Sequence, residues 1–399
     1  MIYPRITEQI IEKYLPGKEI IILYGPRRAG KTTLLKHLEE KLTHQGHKTA
    51  YFSLDDPGAQ AVFSEFSADK LHVVFSGLGF GTGARSYLFL DEIISFSSID
   101  RLLKIISDHF PDIKIFATSS SSILLADTLT ESLAGRKYFV EMLPLTLAEI
   151  NGRMIENYFD FSDFPLEKET FCAQLADIAV FGSYPEVVNL KSHEEKRGKL
   201  RDIIDSALFK DIFLYEGIKH PQLLTKLLSL LSYQTGSLVN LNELSVTLGT
   251  SRHLVEEYLG LLEKFFVVFR LRPFEHNLRS EITFKFKVYF WDTGIRNAII
   301  SRFEHWDLRE DKGAILENLV IAGLQKRNLY SSRPYQTYFW RNYDGFEVDL
   351  ITQGVEHPEI LAVEIKYSGK GKISHAFLNA YKPKKTMVVG RNDAYKFFL

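Results

Sequence analysis

At 399 residues the chain is too long for one ordinary core, and two or three domains are expected. A composition 45% hydrophobic and 25% charged excludes a wholly disordered chain, and a formal net charge of −1 excludes a general pull on nucleic acid or acidic membranes, so any nucleic-acid contact has to come from a local patch. The single cysteine, Cys172, excludes an internal disulfide and a cysteine-rich zinc site, and with no membrane-length apolar run and no signal-like start in Met1-Ile2-Tyr3-Pro4-Arg5, a cytoplasmic protein that does not engage a membrane is expected.

The first half alternates short apolar runs with helical patterns. Ile20 to Tyr24 reads as a buried strand, and Leu34, Leu35, Leu38 and Leu42 then fall on one helical face. Thr49 to Leu54 reads as a second strand closed by the turn chemistry of Asp55-Asp56-Pro57-Gly58. Gly77, Gly79, Gly81 and Gly83 mark a mobile loop. Tyr87 to Leu90 and Lys114 to Ala117 are further strands, separated by the stripe Leu102, Leu103, Ile105 and Ile106. This rhythm predicts an α/β fold with a parallel sheet covered on both faces. From about Leu166 to Tyr233 the pattern is mainly helical. Two helical patterns around Gly249-Thr250-Ser251, followed by the β-rich Phe265 to Leu271, outline a winged helix-turn-helix. Helix, strand, strand follows from Lys312. The expected domains are 1–150, 151–220, 221–310 and 311–399.

Gly25-Pro26-Arg27-Arg28-Ala29-Gly30-Lys31-Thr32 matches the phosphate-loop pattern G-x-x-x-x-G-K-[ST] without a gap. The glycines let backbone N–H groups turn inward onto phosphate oxygens, and the following helix adds its positive end. Lys31 is expected on the β- and γ-phosphates and Thr32 on Mg2+. ATP is thus the expected ligand along Gly25 to Thr32 and at Thr33. Tyr87 to Leu90 ends in Asp91 and Glu92, placing one carboxylate to orient Mg2+ and a second to accept a proton from the attacking water. Thr118 closes another strand; its hydroxyl either serves the γ-phosphate or attacking water, or ends an ordinary strand-to-turn transition.

Together these segments resemble the AAA+ ATPases. The whole chain resembles a bacterial and archaeal group of them in which the ATPase core is followed by a helical lid, a winged helix and a C-terminal α/β domain similar to restriction-type nucleases. Further matching stretches are Phe89 to Ile93, Ala117 to Ser121, Leu133 to Arg136, Leu143 to Thr146, Gly182-Ser183-Tyr184-Pro185-Glu186, Asp292-Thr293-Gly294 and Glu364-Ile365-Lys366. The resemblance implies that Arg136 is an arginine finger or γ-phosphate sensor, against the plain alternative of a surface arginine paired with an acidic neighbour. It implies a structural turn at Gly182 and Pro185. It also makes DNA and further copies of the chain the expected partners. Two positions depart from the group: Ile94 replaces a common Gln, and Ser119 replaces a glycine, which bears on the hydrolysis rate.

Asp349, Glu364 and Lys366 resemble the PD-D/E-x-K nuclease pattern. Glu364 and Lys366 share one strand face, Asp349 and Glu364 are expected to hold Mg2+, and Glu317 can add a ligand from a helix. The alternative is a nuclease-like scaffold that does not cleave. On the winged helix, the recognition-helix candidate is crowded with Glu256, Glu257 and Glu263, so DNA contact is expected from Phe269, Arg270, Arg272, Phe274, Lys285 and Lys287, with protein packing as the alternative. Two functions follow: an ATPase acting on DNA, coupled to metal-dependent cleavage, or a nucleotide-dependent signalling switch with protein partners.

Overall fold

Five short strands form one parallel sheet in the computed structural model, four of them at the runs expected from the sequence and the fifth at Lys137–Glu141. The structure describes residues 2–81, 83, 85–120, 133, 135–152, 168–205, 212–213, 218, 220–274, 285–331, 334–355 and 359–394, with the backbone alone at 168 and 285. It divides into two units, 2–143 and 144–399.

The strands of the first unit are β1 (Ile20–Tyr24), β2 (Lys48–Ser53), β3 (Ser86–Asp91), β4 (Ile113–Ser119) and β5 (Lys137–Glu141), in the order β2-β3-β4-β1-β5. Its helices are α1 (Ile6–Tyr14), α2 (Lys31–His44), α3 (Pro57–Val62), α4 (Ala68–Gly77) and α5 (Ile99–His109). Side chains alternate along each strand, so the two faces feed two cores. Ile20, Ile22, Leu88, Leu90 and Ile115 pack with Leu102, Leu103 and Ile106 of α5. Ile21, Leu23, Phe89 and Phe116 pack with Leu34, Leu35, Leu38 and Leu42 of α2. The Asp55-Asp56-Pro57-Gly58 stretch starts α3: Asp56 caps it by accepting from Gly58 N, and Pro57 takes the first turn, where no amide hydrogen is needed.

The second unit contains helices α6 (Leu147–Ile150), α7 (Lys168–Phe181), α8 (Pro185–Val188), α9 (His193–Ile203), α10 (Pro221–Tyr233), α11 (Leu241–Leu248), α12 (Arg252–Lys264), α13 (Thr293–Ile299), α14 (Lys312–Tyr330) and α15 (His375–Tyr381). Its strands are β6 (Leu238–Asn240), β7 (Val268–Pro273), β8 (Lys285–Phe290), β9 (Tyr335–Arg341), β10 (Glu347–Gly354), β11 (Ile360–Ile365) and β12 (Lys385–Val389). They form one sheet, β12-β11-β10-β9-β7-β8-β6. The helix pair α11–α12 turns at Gly249, whose φ of 64° closes α11, and Ser251 caps α12. The strands after it do not stand as a separate wing. β7 pairs in parallel with β9, Arg272 against Tyr338 and Pro273 against Phe339. One sheet therefore spans the boundary expected near residue 310.

Helix α14 is buried nearly all round, and Asn318 ties it to β8 through two bonds of 2.8 Å with the backbone N–H and C=O of Phe290. That tie fixes which face of α14 meets the sheet. Among the described residues no helix is long and apolar enough to cross a membrane.

Candidate functional site

The first candidate site forms where β1, β3 and β4 end. Gly25 has φ 150° and Gly30 has φ 100°, and a Cβ at Gly25 would lie 2.1 Å from the Met142 carbonyl, so the tight loop excludes a side chain there. Lys31, buried, donates to the carbonyls of Gly25 at 2.8 Å and Pro26 at 2.9 Å, placing its ammonium inside the curl of the loop. Pro26 and Ala29 are buried, Arg27 and Thr33 are exposed, and Arg28 holds a left-handed φ of 62°.

Asp91 gathers three hydroxyls. Thr32 donates to its Oδ2 at 2.9 Å, Tyr51 to the same oxygen at 2.7 Å, and Thr118 to Oδ1. Thr118 Oγ1 in turn accepts from the backbone N–H of Glu92 at 2.9 Å. The sheet order explains this meeting: β4 lies between β1 and β3, so Thr118 stands between the loop and Asp91. Glu92 adopts φ 51°. Burial, with Asp91 adding to it, raises its carboxyl above the ordinary range, while Lys31 and Arg27 pull it back. This set offers a cradle of backbone groups, one buried ammonium, a hydroxyl–carboxylate pair suited to Mg2+, and a neighbouring carboxylate of raised basicity.

Two members carry no sequence motif. Tyr51 sits mid-strand on β2. Arg5 is buried and donates to the Ala29 carbonyl at 2.9 Å and the Leu143 carbonyl at 2.7 Å, tying the phosphate loop to the segment after β5. Only isolated polar atoms in an apolar context hint at either.

Arg136 stands apart. It precedes Lys137, which pairs with Ile20 at the start of β1, whereas the phosphate loop follows Tyr24 at the other end. Five strand residues separate the two, roughly 16 Å. Arg136 forms an ion pair with Asp108. Ile94 packs against the apolar core, and Ser119 is buried beside Tyr24 in the register of β4 and β1.

The second unit holds another polar cluster where α14 meets its sheet. Lys287 and Tyr289, two apart on β8, both reach Glu317 Oε1, at 2.9 Å and 2.6 Å. Lys287 is also paired with Glu347. Burial opposes the charge on Lys287, but Glu317, Glu347 and Asp349 outweigh it and hold the ammonium above its usual range. On β10 and β11, Asp349 Oδ2 accepts from Ile365 N at 2.7 Å and Lys366 Nζ at 3.3 Å, and Lys366 lies 2.8 Å from Glu364 Oε1. Glu364 is 7% exposed, and its Oε2 is buried without a hydrogen-bond partner. Burial and then Asp349 raise its carboxyl, against the pull of Lys366. Among the described residues no three Asp, Glu, His or Cys side chains converge on one metal-sized point. The carboxylates stand two and two, Glu317 with Glu347 around Lys287, and Asp349 with Glu364 around Lys366. Sequence reasoning missed Glu347 and Tyr289; their period-two spacing from Asp349 and Lys287 was the available signal.

The expectation of a wing carrying free basic and aromatic residues is corrected at four positions. Lys287 is internal, because β8 lies inside the wider sheet. Arg270 is committed to Glu263 at 2.9 Å and 2.6 Å and to Glu256. Phe269 and Phe274 are buried. Arg272 is exposed, and the side chain of Lys285 falls outside the described residues.

Two further motif segments meet. Asp292 caps α13 and accepts from Ser183 N at 2.7 Å, at the turn after α7. A Cβ on Gly182 would lie 1.9 Å from Asp292 Oδ1, and one on Gly294 would lie 2.2 Å from the Phe181 carbonyl.

A parallel sheet with this loop and these carboxylates defines the first unit as a P-loop fold. Residues 17–151 match the family described as AAA domain. Residues 172–305 and 312–397 match two domains of unknown function, DUF8612 and DUF4143. An uncharacterized protein of Methanocaldococcus jannaschii is 25% identical over 394 residues, covering 95% of this chain and 82% of its own. An uncharacterized protein of Haemophilus influenzae is 24% identical over 366 residues, covering 87% and 82%. Among solved structures, AMPPCP-bound DnaA from Aquifex aeolicus aligns at 18% identity over 65% of this chain and 87% of that one, with a TM-score of 0.30. PCH-2 of C. elegans aligns at 17% identity over 64% and 66%, with a TM-score of 0.25. The chain is thus a mixed α/β protein with an AAA-type P-loop unit and a second sheet-and-helix unit.

Proposed function

We propose that this chain binds ATP with Mg2+ and hydrolyses it, and that the work of its second unit is done on DNA. The observation that carries the ATPase reading is the convergence of Thr32, Thr118 and Tyr51 on Asp91, beside Lys31 and Glu92. The residues fit the ligand: a loop with no room for a Cβ at Gly25, and an ammonium already held by loop carbonyls. Lys31 binds the outer phosphates, while Thr32 and Asp91 hold the ion. Bound Mg2+ supplies charge neutralisation and orientation of the phosphates. Glu92, its basicity raised by burial, takes the proton of the attacking water. Thr118 fixes Asp91 and the Glu92 backbone together. Ile94 offers no polar atom to hold that water, so turnover is slow. Arg136, at the opposite end of β1 from the loop and ion-paired with Asp108, takes no part in holding the nucleotide of its own chain.

The second reading, phosphodiester cleavage at Asp349, Glu364 and Lys366, is favoured by one observation: the buried Glu364 Oε2 with no partner, an acceptor suited to a cation. Bound Mg2+ there supplies Lewis acidity to a phosphate. The test incubates the protein with plasmid, linear and branched DNA and Mg2+ or Mn2+, with and without ATP, while ATPase rate is followed in parallel. Cleavage that disappears in Asp349→Ala, with ATPase retained, supports both halves. Cleavage absent everywhere, with an ATPase rate indifferent to DNA, leaves the nucleotide-dependent switch with protein partners as the function.

A further inference from the structure

We infer that Lys287 is a permanent internal cation of the C-terminal carboxylate cluster, so that the cluster takes one divalent ion, at Asp349 and Glu364, and refuses a second at Glu317 and Glu347. The inference rests on the metal reading of Asp349 and Glu364 proposed above.

The two lysines of the cluster differ in access to water. The side chain of Lys366 is 45% exposed, so an incoming ion can displace its ammonium into solvent and inherit both carboxylates. The side chain of Lys287 is 2% exposed. Its ammonium is held by Glu317 at 2.9 Å and by Glu347, and it lies 5.6 Å from the centroid of the Phe339 ring. An ion entering between Glu317 and Glu347 would leave that ammonium buried and unpaired, which costs more than the ion gains from two shared carboxylates. Tyr289 strengthens the arrangement by donating at 2.6 Å to the same Glu317 oxygen, leaving it little free acceptor capacity. Of the two pairs, it is Asp349 with Glu364 that retains a buried carboxylate oxygen without a partner among the described residues.

The sheet explains why this lysine is available. Lys287 comes from β8 and the ion-holding pair from β10 and β11, and the parallel pairing of β7 with β9 joins them in one sheet. Lys287 lies in the segment matching one family and Glu317, Glu347, Asp349 and Glu364 in the segment matching another, so neither segment alone contains the whole cluster.

The experiment counts Mn2+ bound to the full chain without nucleotide, by calorimetry and by electron paramagnetic resonance of the free ion. Ions lost in Asp349→Ala are those of the Asp349 and Glu364 pair, and ions lost in Glu317→Gln are those of the Glu317 and Glu347 pair. Wild type and Lys287→Arg are expected to bind one ion of the first kind and none of the second, and Lys287→Gln one of each. A Glu317-dependent ion in the wild type, or no gain in a folded Lys287→Gln, would overturn the role of Lys287 while leaving the metal reading standing. No Asp349-dependent ion in the wild type would remove the metal reading and this inference with it. Should Lys287→Gln fail to fold, the wild-type count alone decides between one ion and two.

Discussion

Thr32 Oγ1 stands 2.9 Å from Asp91 Oδ2 although 59 residues separate them in the chain. One begins the helix after the phosphate loop and the other ends β3, and β4 between their strands sends Thr118 onto the other oxygen of the same carboxylate. Removing a donor from this carboxylate should therefore lower turnover in proportion to how much else that donor holds.

Thr118→Ala removes a bond to Asp91 and the anchor of the Glu92 amide. The expected loss in ATPase kcat is roughly a hundredfold, the scale of one preorganised donor. Tyr51→Phe removes one of two donors to Oδ2 and should cost less than about tenfold. Steady-state ATPase rates check the order; a Tyr51→Phe loss exceeding that of Thr118→Ala would contradict it.

Glu92 works as a base only when ionised. Burial raises its pKa, so the rate should rise with pH through a limb above the ordinary glutamate range. Glu92→Gln should retain ATP binding, lose that limb, and fall by about a hundredfold or more in kcat. Wild-type turnover in this variant would remove Glu92 from the mechanism.

Arg136 cannot reach the phosphates of its own loop. Arg136→Ala should leave the ATP affinity of the isolated chain within about twofold, and its exposed pair with Asp108 should contribute under about 1 kcal/mol. Calorimetric titration and denaturant unfolding measure the two effects. A large affinity loss in a demonstrably monomeric sample would contradict its placement.

Gly294→Ala puts a Cβ 2.2 Å from the Phe181 carbonyl, a backbone atom that cannot step aside. It should destabilise the second unit by about 3 kcal/mol or more, within the range for overpacking and strain. Gly198→Ala, at an exposed position of α9 with nothing within 4 Å of the new Cβ, should stabilise by about 1 kcal/mol. Thermal unfolding of both variants checks the contrast.

Legibility in the sequence followed how local each cause was. Four of the five strands of the first unit announce themselves through short apolar runs, punctuated by the loop glycines and terminal carboxylates, whereas β5, with Lys137 and Glu141 at its ends, does not. Asp56 and Pro57 illustrate a local ambiguity: the same residues close a turn or open a helix, and α3 takes the second course. Tyr51 and Arg5 were not legible, since their partners lie 40 residues away for Tyr51 and 24 and 138 away for Arg5, and neither carries a local pattern. Lys287 was misread for the same reason. Alternating lysines on β8 suggest a solvated basic strand, and nothing local reveals that β9 and β10 extend the sheet until Glu347 meets the ammonium.

The most direct test of the ATPase reading is calorimetric titration of the wild type and Lys31→Ala with ATP and Mg2+. Lys31 is a buried ammonium inside the loop, and charged hydrogen bonds of its kind contribute about 1.5–3 kcal/mol each. The wild type should bind one ATP per chain, and Lys31→Ala should remain folded in the absence of nucleotide and bind roughly a hundredfold more weakly. Equal affinity in the two proteins would show that Gly25 to Thr32 does not hold the phosphates.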